Sequence, residues 1–203
     1  MVRTQEKTRT SRDAQRIETR QRVFEAAVRE FKKVGVADAD VGAIVAAAGV
    51  ARGTFYFHFP SKEHALAELT RREEDRIAEE LVTALTRKRD LRSALATVIK
   101  GIVAEEKRLG HVLFRDVLNL YFSGAHPDLN DSTTHPIVRI VTELIEAART
   151  RGDVDADVDV GSTSVFFLIG VYGLLVTNQE ASQARATLLD KYLDHFCRGL
   201  AVR

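Results

Sequence analysis

Apolar side chains recur at spacings of three and four residues from one end of the chain to the other. This periodicity constrains the fold more than any other feature. Spacings of three and four are the repeat of an amphipathic helix, whereas a strand alternates with a period of two, which is hard to find here. The three prolines, Pro60, Pro127 and Pro136, all fall between periodic segments. The pattern therefore predicts an all-α protein of about nine helices.

The composition is that of a globular chain of 203 residues, with 45% apolar and 29% charged residues. This length is ample for a core that needs no disulfide or metal. Cys197 is the only cysteine, which excludes an internal disulfide and a cysteine-rich zinc site. The longest apolar run, Val165–Val176, is shorter than the ~20 residues of a membrane span, and no signal peptide opens the chain. We expect a cytoplasmic protein without a membrane segment.

Charge is distributed unevenly along the chain. Residues 1–62 hold 12 Lys and Arg against 7 Asp and Glu, while residues 63–203 hold 18 against 22. The first segment, 1–16, is polar and rich in arginine, and we interpret it as a disordered basic arm. A basic N-terminal third on a mildly acidic remainder indicates that one end of the protein meets an anionic partner.

Short helical segments on either side of Gly49 have the spacing of a helix-turn-helix. Asp40 is suited to cap the first segment, and Gly49 supplies the positive φ that the turn requires. In the second segment, Ala51–Phe59, the side chains of Phe55 and Phe59 are spaced i and i+4 and face the core. The opposite face offers hydrogen-bond donors, and such a helix in a basic domain suits the major groove of DNA. The donors on that face are Arg52, Thr54, Tyr56 and His58.

The stretch from Ile44 to Glu63, IVAAAGVARGTFYFHFPSKE, resembles the DNA-binding motif of the TetR family of bacterial transcriptional regulators. The helix spacing, the aromatic cluster and the Phe-Pro-Ser-Lys-Glu junction all agree with that motif. The resemblance implies an N-terminal helix-turn-helix domain and a larger C-terminal helical domain. It also implies a homodimer that represses transcription from a double-stranded DNA operator. A small-molecule effector bound in the C-terminal domain would release the operator.

Composition and the resemblance together set the expected boundaries, and the resemblance implies the contacts. We expect the basic arm over 1–16, a DNA-binding domain over 17–65 with its motif at about 40–59, and a ligand-binding and dimerisation domain over 66–203. Lys62, at the start of the following helix, matches a phosphate contact of the family, which agrees with the affinity of helix N-termini for anions. The residues expected to contact DNA are Arg52, Gly53, Thr54, Tyr56, Phe57, His58 and Lys62.

Three positions depart from the family's pattern. The family usually has paired hydroxyl residues at the start of the second helix, where this chain has Asp40 and Val41, and a polar residue where Ala51 stands. Asp40 can cap the helix but repels a phosphate. The missing N-cap at Ala51 should cost about 1 kcal/mol of helix stability, although its methyl group suits contact with thymine. Contacts to DNA at these three positions are left open.

The C-terminal two thirds offer candidates for a ligand pocket and for a dimer interface. An apolar cavity with a few polar anchors is the usual form of a ligand site. Small residues among large apolar ones let helices approach closely, so the last two helices can form a four-helix interface with a second copy. Either set can instead belong to the core of one chain. The candidate ligand residues are His111, Phe114, Arg115, Leu118, Asn119, Phe122, Phe166, Phe167 and Tyr172. The candidate dimer residues are Gly170, Gly173, Leu189, Tyr192, Leu193, Phe196 and Leu200.

The sequence carries no signature of catalysis or metal binding. It contains no glycine-rich phosphate loop, nucleophile elbow or paired carboxylates. The six histidines have no metal-ligand spacing, and Asp153–Asp159 lacks the glycine and the closing glutamate of a calcium loop. We therefore predict no cofactor, metal or catalytic residue. A small all-α enzyme and a helical adaptor that binds only protein are the alternatives, and the adaptor leaves the donors of Ala51–Phe59 without a purpose.

Overall fold

A computed structural model describes residues 2–85, 90–122, 135–177 and 183–202, with the side chains from residue 13 onward except that of Phe122. All regular structure in these ranges is helical, which confirms the all-α prediction. The nine helices of the described ranges are α1 (Val2–Asp38), α2 (Val41–Ala48), α3 (Arg52–His58), α4 (Lys62–Leu85), α5 (Leu91–Leu109), α6 (His111–Phe122), α7 (Pro136–Thr150), α8 (Val160–Thr177) and α9 (Gln183–Leu200).

The chain divides into two compact units, Met1–Leu69 and Thr70–Arg203. We call them the N-terminal unit and the C-terminal unit. The N-terminal unit contains α1 to α3 and the first two turns of α4, and the C-terminal unit contains the rest of α4 and the following helices. The sequence placed the corresponding boundary between residues 65 and 66.

The structure differs from the sequence prediction at the N-terminus, where α1 begins at Val2 instead of following a disordered arm over 1–16. No glycine or proline interrupts residues 2–34, and a helix that is already nucleated gains one hydrogen bond for each residue it adds. The buried Phe31 anchors α1 in the unit, so the polar segment extends an existing helix. Gly35 then interrupts the helical backbone with φ 82° and ψ 169°, a conformation that favours glycine.

An aromatic cluster forms the core of the N-terminal unit. The ring of Phe59 lies 6.2 Å from that of Phe24 and 6.0 Å from that of Phe55. The guanidinium of Arg20 lies 4.6 Å from the centre of the Phe59 ring and donates two hydrogen bonds to Glu68. This bidentate pair ties α1 to α4 and fixes the base of α3 between them.

In the C-terminal unit, α5 packs against α6, α7 and α9, and α8 packs against α7 and α9. Each helix buries one apolar stripe, so the core is continuous across these five helices. Its fully buried side chains include Leu95, Ile102, Leu113, Ile145 and Phe167.

Within the described ranges, α8 alone is long and apolar enough by length and composition to cross a membrane, with a mean hydropathy of 1.8 over 18 residues. Only a third of that window is buried within the chain. One face, with Phe167, Val171 and Leu175, belongs to the core of the C-terminal unit. The other face exposes large apolar side chains and therefore requires a separate explanation.

Candidate nucleic-acid interface and effector site

The turn between α2 and α3 has the geometry of a helix-turn-helix. Asp40 caps α2, because its carboxylate accepts hydrogen bonds from the backbone N–H groups of Gly42 at 2.9 Å and Ala43 at 3.2 Å. Gly49 ends α2 in the left-handed region, with φ 66° and ψ 40°. The sequence predictions for Asp40 and Gly49 are thereby confirmed. Both carboxylate oxygens of Asp40 are occupied by the helix, so its role in the structure is to hold α2.

Helix α3 exposes two large aromatic side chains while it buries two others. Phe55 and Phe59 are fully buried, as predicted, whereas Phe57 is 69% exposed and Tyr56 is 45% exposed. Ala51 precedes the helix without a side-chain cap, as its methyl group requires. Arg52 and Gly53 are exposed, and Thr54 and His58 are half-buried. The outward face of α3 therefore presents the residues that the sequence assigned to DNA contact.

Gly53 is not required by the packing of the chain. Outside its own helix backbone and its chain neighbours, no atom lies within 4 Å of the position that a Cβ would occupy. Its backbone is helical, and glycine inside a helix costs roughly 0.5–1 kcal/mol relative to alanine. The internal structure therefore gives no reason for a glycine on this exposed face.

The charges around His58 are positive. Partial burial, followed by the nearby Arg20 and Arg16, lowers the pKa of His58 below its usual 6.5. A neutral imidazole can still donate one hydrogen bond, but it supplies no net charge at neutral pH. Any contribution of His58 to anion binding at pH 7 therefore comes from its N–H group.

Lys62 has partners within its own unit. Its ammonium group donates hydrogen bonds to the backbone carbonyl oxygens of Ala37 at 2.7 Å and Ala39 at 3.0 Å. Ala37 lies in the last turn of α1, where helical carbonyls lack intrahelical partners, and Ala39 follows the helix directly. The sequence assigned Lys62 to a phosphate, but in this structure two of its three N–H groups join α4 to α1, which leaves one for an external partner.

The candidate ligand residues do not all meet in one place. Phe114, Leu118 and Phe167 are buried, and the ring of Phe114 lies 6.3 Å from that of the half-buried Tyr172. His111 is half-buried, with both ring nitrogens inaccessible to water. The side chain of Phe122 lies outside the described residues. In contrast, the structure places Arg115, Asn119 and Phe166 at the surface, because they lie on the solvent-facing sides of α6 and α8.

Three buried carboxylates in the C-terminal unit, those of Glu74, Glu105 and Glu106, were not predicted from the sequence. Glu74 accepts a hydrogen bond from the hydroxyl group of Tyr121 and lies 2.7 Å from Nδ1 of His135. Glu106 accepts two hydrogen bonds of 2.9 Å from Arg185, and both side chains are buried. A helix pattern signals these residues only indirectly, because a charged residue occupies a position where an apolar one is expected.

Glu105 differs from these neighbours because it has no partner. It is only 5% exposed, and its carboxylate makes no hydrogen bond with any residue in the described ranges. Burial, followed by the nearby negative charge of Glu73, raises its pKa to about 7, and the positive charge of Arg108 only partly offsets this. Burying an unpaired carboxylate is costly, so this position is a candidate for function.

A groove of about 480 Å³ runs between α5 and α9. Its floor is apolar, with Ile99, Leu189 and Leu193, and the exposed Lys100 and Lys107 stand at its edge. The sequence-based ligand residues do not line this groove, since they lie on α6 and α8. It is thus a place in the C-terminal unit where an apolar molecule can be held.

Several candidate dimer residues are buried within one chain. Leu189, Leu193 and Leu200 pack mostly within the C-terminal unit, which leaves little of their surface for a second copy, and their place in a dimer interface stays a prediction. Gly170 lies beneath Tyr192, whose hydroxyl group donates to the backbone carbonyl oxygens of Phe166 and Phe167. A Cβ at Gly170 would overlap with the phenol group of Tyr192. The glycine is therefore needed for packing inside the chain. Phe196 packs on Phe167 with ring centres 5.0 Å apart, and Gly173 is exposed.

Other apolar side chains on the same two helices face outward. Phe166 is 65% exposed, Ile169 is 47% exposed and Leu188 is 38% exposed. Phe166, Ile169 and Gly173 follow a spacing of three and four on α8, so they share one side of that helix. We call Phe166, Ile169, Gly173 and Leu188 the exposed apolar face.

The N-terminal unit matches a known protein family. Residues 23–69 match the family described as bacterial regulatory proteins, tetR family. The HTH-type transcriptional regulator AcrR of Shigella flexneri is 37% identical over 105 residues, which are 49% of this chain and 48% of that protein. The match thus spans about half the length of that relative. The HTH-type transcriptional regulator SrpR of Pseudomonas putida is 23% identical over 180 residues, which are 88% of this chain and 84% of that protein.

Solved structures share the fold over most of the chain. The transcriptional regulator FadR from Bacillus subtilis, in complex with stearoyl-CoA, superposes with a TM-score of 0.71 at 20% identity, covering 89% of this chain and 98% of that one. FadR of Thermus thermophilus, a transcriptional repressor in complex with lauroyl-CoA, gives a TM-score of 0.70 at 21% identity, covering 91% of this chain and 96% of that one. At such identities the likeness concerns the fold.

Proposed function

We propose that this chain, whose residues 23–69 match the tetR family of bacterial regulatory proteins, is a DNA-binding transcriptional repressor of that family controlled by a small-molecule effector. The N-terminal unit binds the operator, and the C-terminal unit binds the effector and a second copy of the chain. The observation that carries the proposal is the outward face of α3. It exposes Tyr56, Phe57 and Arg52, while Phe55 and Phe59 on the opposite side fill the aromatic core.

The exposed residues of α3 form two groups, one suited to contact with bases and one suited to contact with the phosphate backbone. Arg52 stands at the N-terminus of the helix, the end that meets base edges in a helix-turn-helix, and can donate two hydrogen bonds to guanine. Tyr56 can donate to a phosphate while its ring stays against Phe55, 5.4 Å away. Phe57 offers an apolar surface to a thymine methyl group or to sugar.

The glycine at position 53 is a separate observation that supports DNA binding by α3. A glycine that no internal neighbour requires is explained if the backbone of α3 must come close to DNA at this position. A Cβ would then stand between the helix and the phosphate backbone. Glycine at this position thus lowers the stability of the helix but lets its backbone come closer to DNA.

The dimer is supported by the exposed apolar face. Monomeric proteins rarely expose several large apolar side chains together, and a two-fold axis beside α8 and α9 would bury Phe166, Ile169 and Leu188 against their own copies. A two-fold dimer carries two α3 helices, so we propose an operator with inverted half-sites about one helical turn, or a multiple of it, apart.

The effector that we propose is small and mostly apolar. Two fold neighbours were crystallised with acyl-CoA thioesters, which shows that this architecture can hold a long apolar chain in those proteins. In this chain the interior around Phe114 and Tyr172 offers apolar walls with polar groups among them. A DNA-bound role places the protein in the cytoplasm and involves no membrane. The proposal requires no cofactor and no metal.

Selection of DNA by the purified full chain tests the proposal. Fragments retained from a random double-stranded pool are sequenced, and binding to the enriched sequence is followed by fluorescence anisotropy over a range of salt. We expect an inverted repeat and an affinity that falls steeply with salt. No enrichment and no salt-sensitive binding would contradict the proposal. Turnover of a substrate or capture of a protein partner by such a preparation would favour the enzyme or the adaptor.

A further inference from the structure

Glu105 occupies a position on α5 that the helix otherwise reserves for apolar side chains. It follows Ile102 by three residues and precedes Leu109 by four, and both of these side chains are buried in the core of the C-terminal unit. The carboxyl group is therefore held inside the unit by the register of α5, and rotation toward solvent would expose the whole apolar stripe.

The charged groups nearest Glu105 leave it uncompensated. Glu73 and Glu74 are of like charge, and Glu74 is already bound by Tyr121 and His135. The two arginines whose charge reaches Glu105 stand closest to other carboxylates. Arg76 lies 3.4 Å from Glu73 and 3.2 Å from Glu80, and Arg108 lies 3.5 Å and 3.6 Å from the same two residues. Four carboxylates, those of Glu73, Glu74, Glu80 and Glu105, thus lie near two guanidinium groups, so negative charge is in excess.

Aromatic side chains stand beside these carboxylates. The Tyr172 ring lies 6.3 Å from the Phe114 ring, and the Tyr121 ring lies 5.1 Å from the imidazole of His135. Burial, together with the negative charges of Glu105 and Glu74, raises the pKa of Tyr172 well above 10. Its hydroxyl group therefore stays neutral, and its ring can present a face to a cation.

We infer that the interior of the C-terminal unit binds an organic cation, an amine or quaternary ammonium with an apolar body, whose charge pairs with Glu105 among Tyr121, Tyr172 and Phe114. This inference rests on the proposed function only in naming that molecule as the effector. A cation gains both from the unpaired carboxylate and from the aromatic faces. An anionic head group would instead meet three carboxylates, so the charge of this site disfavours the acyl-CoA class that two fold neighbours bind.

A metal ion does not fit the same residues. No group of three or more His, Cys, Asp or Glu side chains within the described ranges comes close enough together to hold one. A larger organic cation needs no common coordination point, since its charge is spread and its body contacts the rings. The geometry therefore favours an organic cation over a metal ion.

Three probes that share one apolar chain and differ only in the charge of the head group test the inference: decyltrimethylammonium, decanol and decanoate. Each is titrated by calorimetry into the full-length chain without DNA, near pH 8 and below its micelle concentration. We expect the ammonium to bind about tenfold more tightly than the alcohol or the carboxylate. Glu105→Gln should reduce its affinity to that of the alcohol. Glu143→Gln, which changes a carboxylate that is 71% exposed on α7, should leave the affinity unchanged.

Equal affinity for the three probes, or an unchanged ammonium affinity in Glu105→Gln, would overturn the inference. Preferential binding of decanoate that is lost in Lys100→Gln would also overturn it, because the site would then be the groove between α5 and α9. Circular dichroism checks that each variant is folded. Since binding is measured without DNA, the result is independent of the proposed function. If the chain binds the operator but does not bind the ammonium, only the inference of a cation site is contradicted. If it binds the ammonium but does not bind DNA, only the proposed repressor function is contradicted.

Discussion

At the scale of single residues, the informative positions are those where the residue type opposes local stability. Gly53 lies in a helix that alanine would stabilise, and Glu105 places a carboxylate where the core requires an apolar group. Ala51 leaves α3 without a side-chain cap. Natural chains accept such local conflicts mainly where another requirement outweighs stability. In this protein these residues lie in the proposed DNA interface and the proposed effector site.

Replacing Gly53 by alanine should separate stability from DNA binding. The variant should be more stable by roughly 0.5–1 kcal/mol, because alanine loses less conformational freedom than glycine on entering a helix. Operator binding should weaken by about 1–3 kcal/mol, since the added methyl group prevents close approach. Thermal melting and fluorescence anisotropy measure the two effects. Gly199→Ala is the matched control, because its Cβ also enters open space on an exposed helix, and it should not affect operator binding. Unweakened binding in Gly53→Ala would contradict the close-approach explanation.

Stability should depend on pH through Glu105. Its pKa is about 7 in the folded chain and 4.5 as the ordinary value, so the folded state holds more protons between these values and loses stability as pH rises through them. Around pH 8 the cost should approach about 3 kcal/mol. Glu105→Gln cannot titrate, so its advantage over the wild type should grow from about pH 5 to about pH 8 in denaturant titrations. Parallel stability curves for the two proteins would show that Glu105 is already paired.

At the scale of helices, α3 depends on its neighbours. It has seven residues, too few for a helix that is stable by itself. Its position comes from Phe55 and Phe59 in the aromatic core and from the ties between α1 and α4 made by Arg20 and Lys62. The outward side chains of α3 are thus available to contact a partner, whereas the hydrogen bonds of Arg20 and Lys62 stabilise the fold.

Arg52→Ala should reduce operator affinity without loss of stability. Arg52 is exposed and makes no hydrogen bond or ion pair with any residue in the described ranges, so the fold does not depend on it. If it reads a base, the change should cost about 1–3 kcal/mol and relax the preference at one base pair. Anisotropy with a panel of single-base operator variants measures this. Lys100→Ala removes an equal charge from the C-terminal unit and should leave the preference intact. A uniform loss across the panel would indicate a phosphate contact instead.

Lys62→Ala should affect both stability and binding. Two carbonyl oxygens at the end of α1 lose their donor, which should cost about 1–3 kcal/mol of stability. If the third N–H group contacts a phosphate, the slope of log affinity against log salt should also become shallower by about 1. Melting curves and a salt series distinguish the two roles. A lower melting temperature with an unchanged slope would assign Lys62 to the fold alone.

At the scale of the whole molecule, the apolar residues of α8 and of α9 lie on two sides of each helix, one facing the core and one facing outward. The inward set, which includes Leu193, completes the core of the C-terminal unit, and the outward set forms the exposed apolar face. This division explains why α8 reaches a hydropathy typical of a membrane helix although one of its sides packs within the chain. We propose that a second copy covers the outward set.

A charge on the exposed apolar face should dissociate the dimer without unfolding it. Ile169→Glu places a carboxylate at a position that is solvated in one chain but would be desolvated in the dimer. Light scattering should give a monomeric mass with an unchanged circular dichroism spectrum, and operator affinity should fall. Leu193→Glu is the contrasting variant, because the same charge in the core should unfold the unit. A wild-type chain that is monomeric at micromolar concentration would contradict the dimer.

Effector and operator should weaken each other by the same factor. Helix α4 begins in the N-terminal unit at Lys62 and ends in the C-terminal unit at Leu85, so it is the element through which binding in one unit can bias the other. By linkage, the affinity for decyltrimethylammonium should fall in the presence of operator as much as the affinity for operator falls in the presence of the ammonium. The two dissociation constants are measured with and without the second ligand. Equal constants would show that this molecule does not release DNA.

Much of the fold and of the geometry of the proposed DNA interface was predictable from sequence, because both depend on local features. Spacings of three and four residues identify helices, a carboxylate at Asp40 caps one, and glycine at Gly49 permits the left-handed turn. Phe55 and Phe59 were placed in the core by their separation of one helical turn. The start of α1 was not predicted, because low hydrophobicity predicts disorder over 1–16 while an anchored helix can extend through the same residues.

In the C-terminal unit, the roles of individual residues could be assigned only from the tertiary structure. Periodicity shows that Leu193 and Ile169 both lie on apolar helices, but only packing shows that the first faces its own chain and the second faces outward. A glutamate at a core position can be paired, as Glu106 is by Arg185, or unpaired, as Glu105 is. These residues are distant in sequence from the groups that decide their roles. Local patterns determine which face of a helix is apolar or charged, whereas the partner of that face is determined by long-range packing.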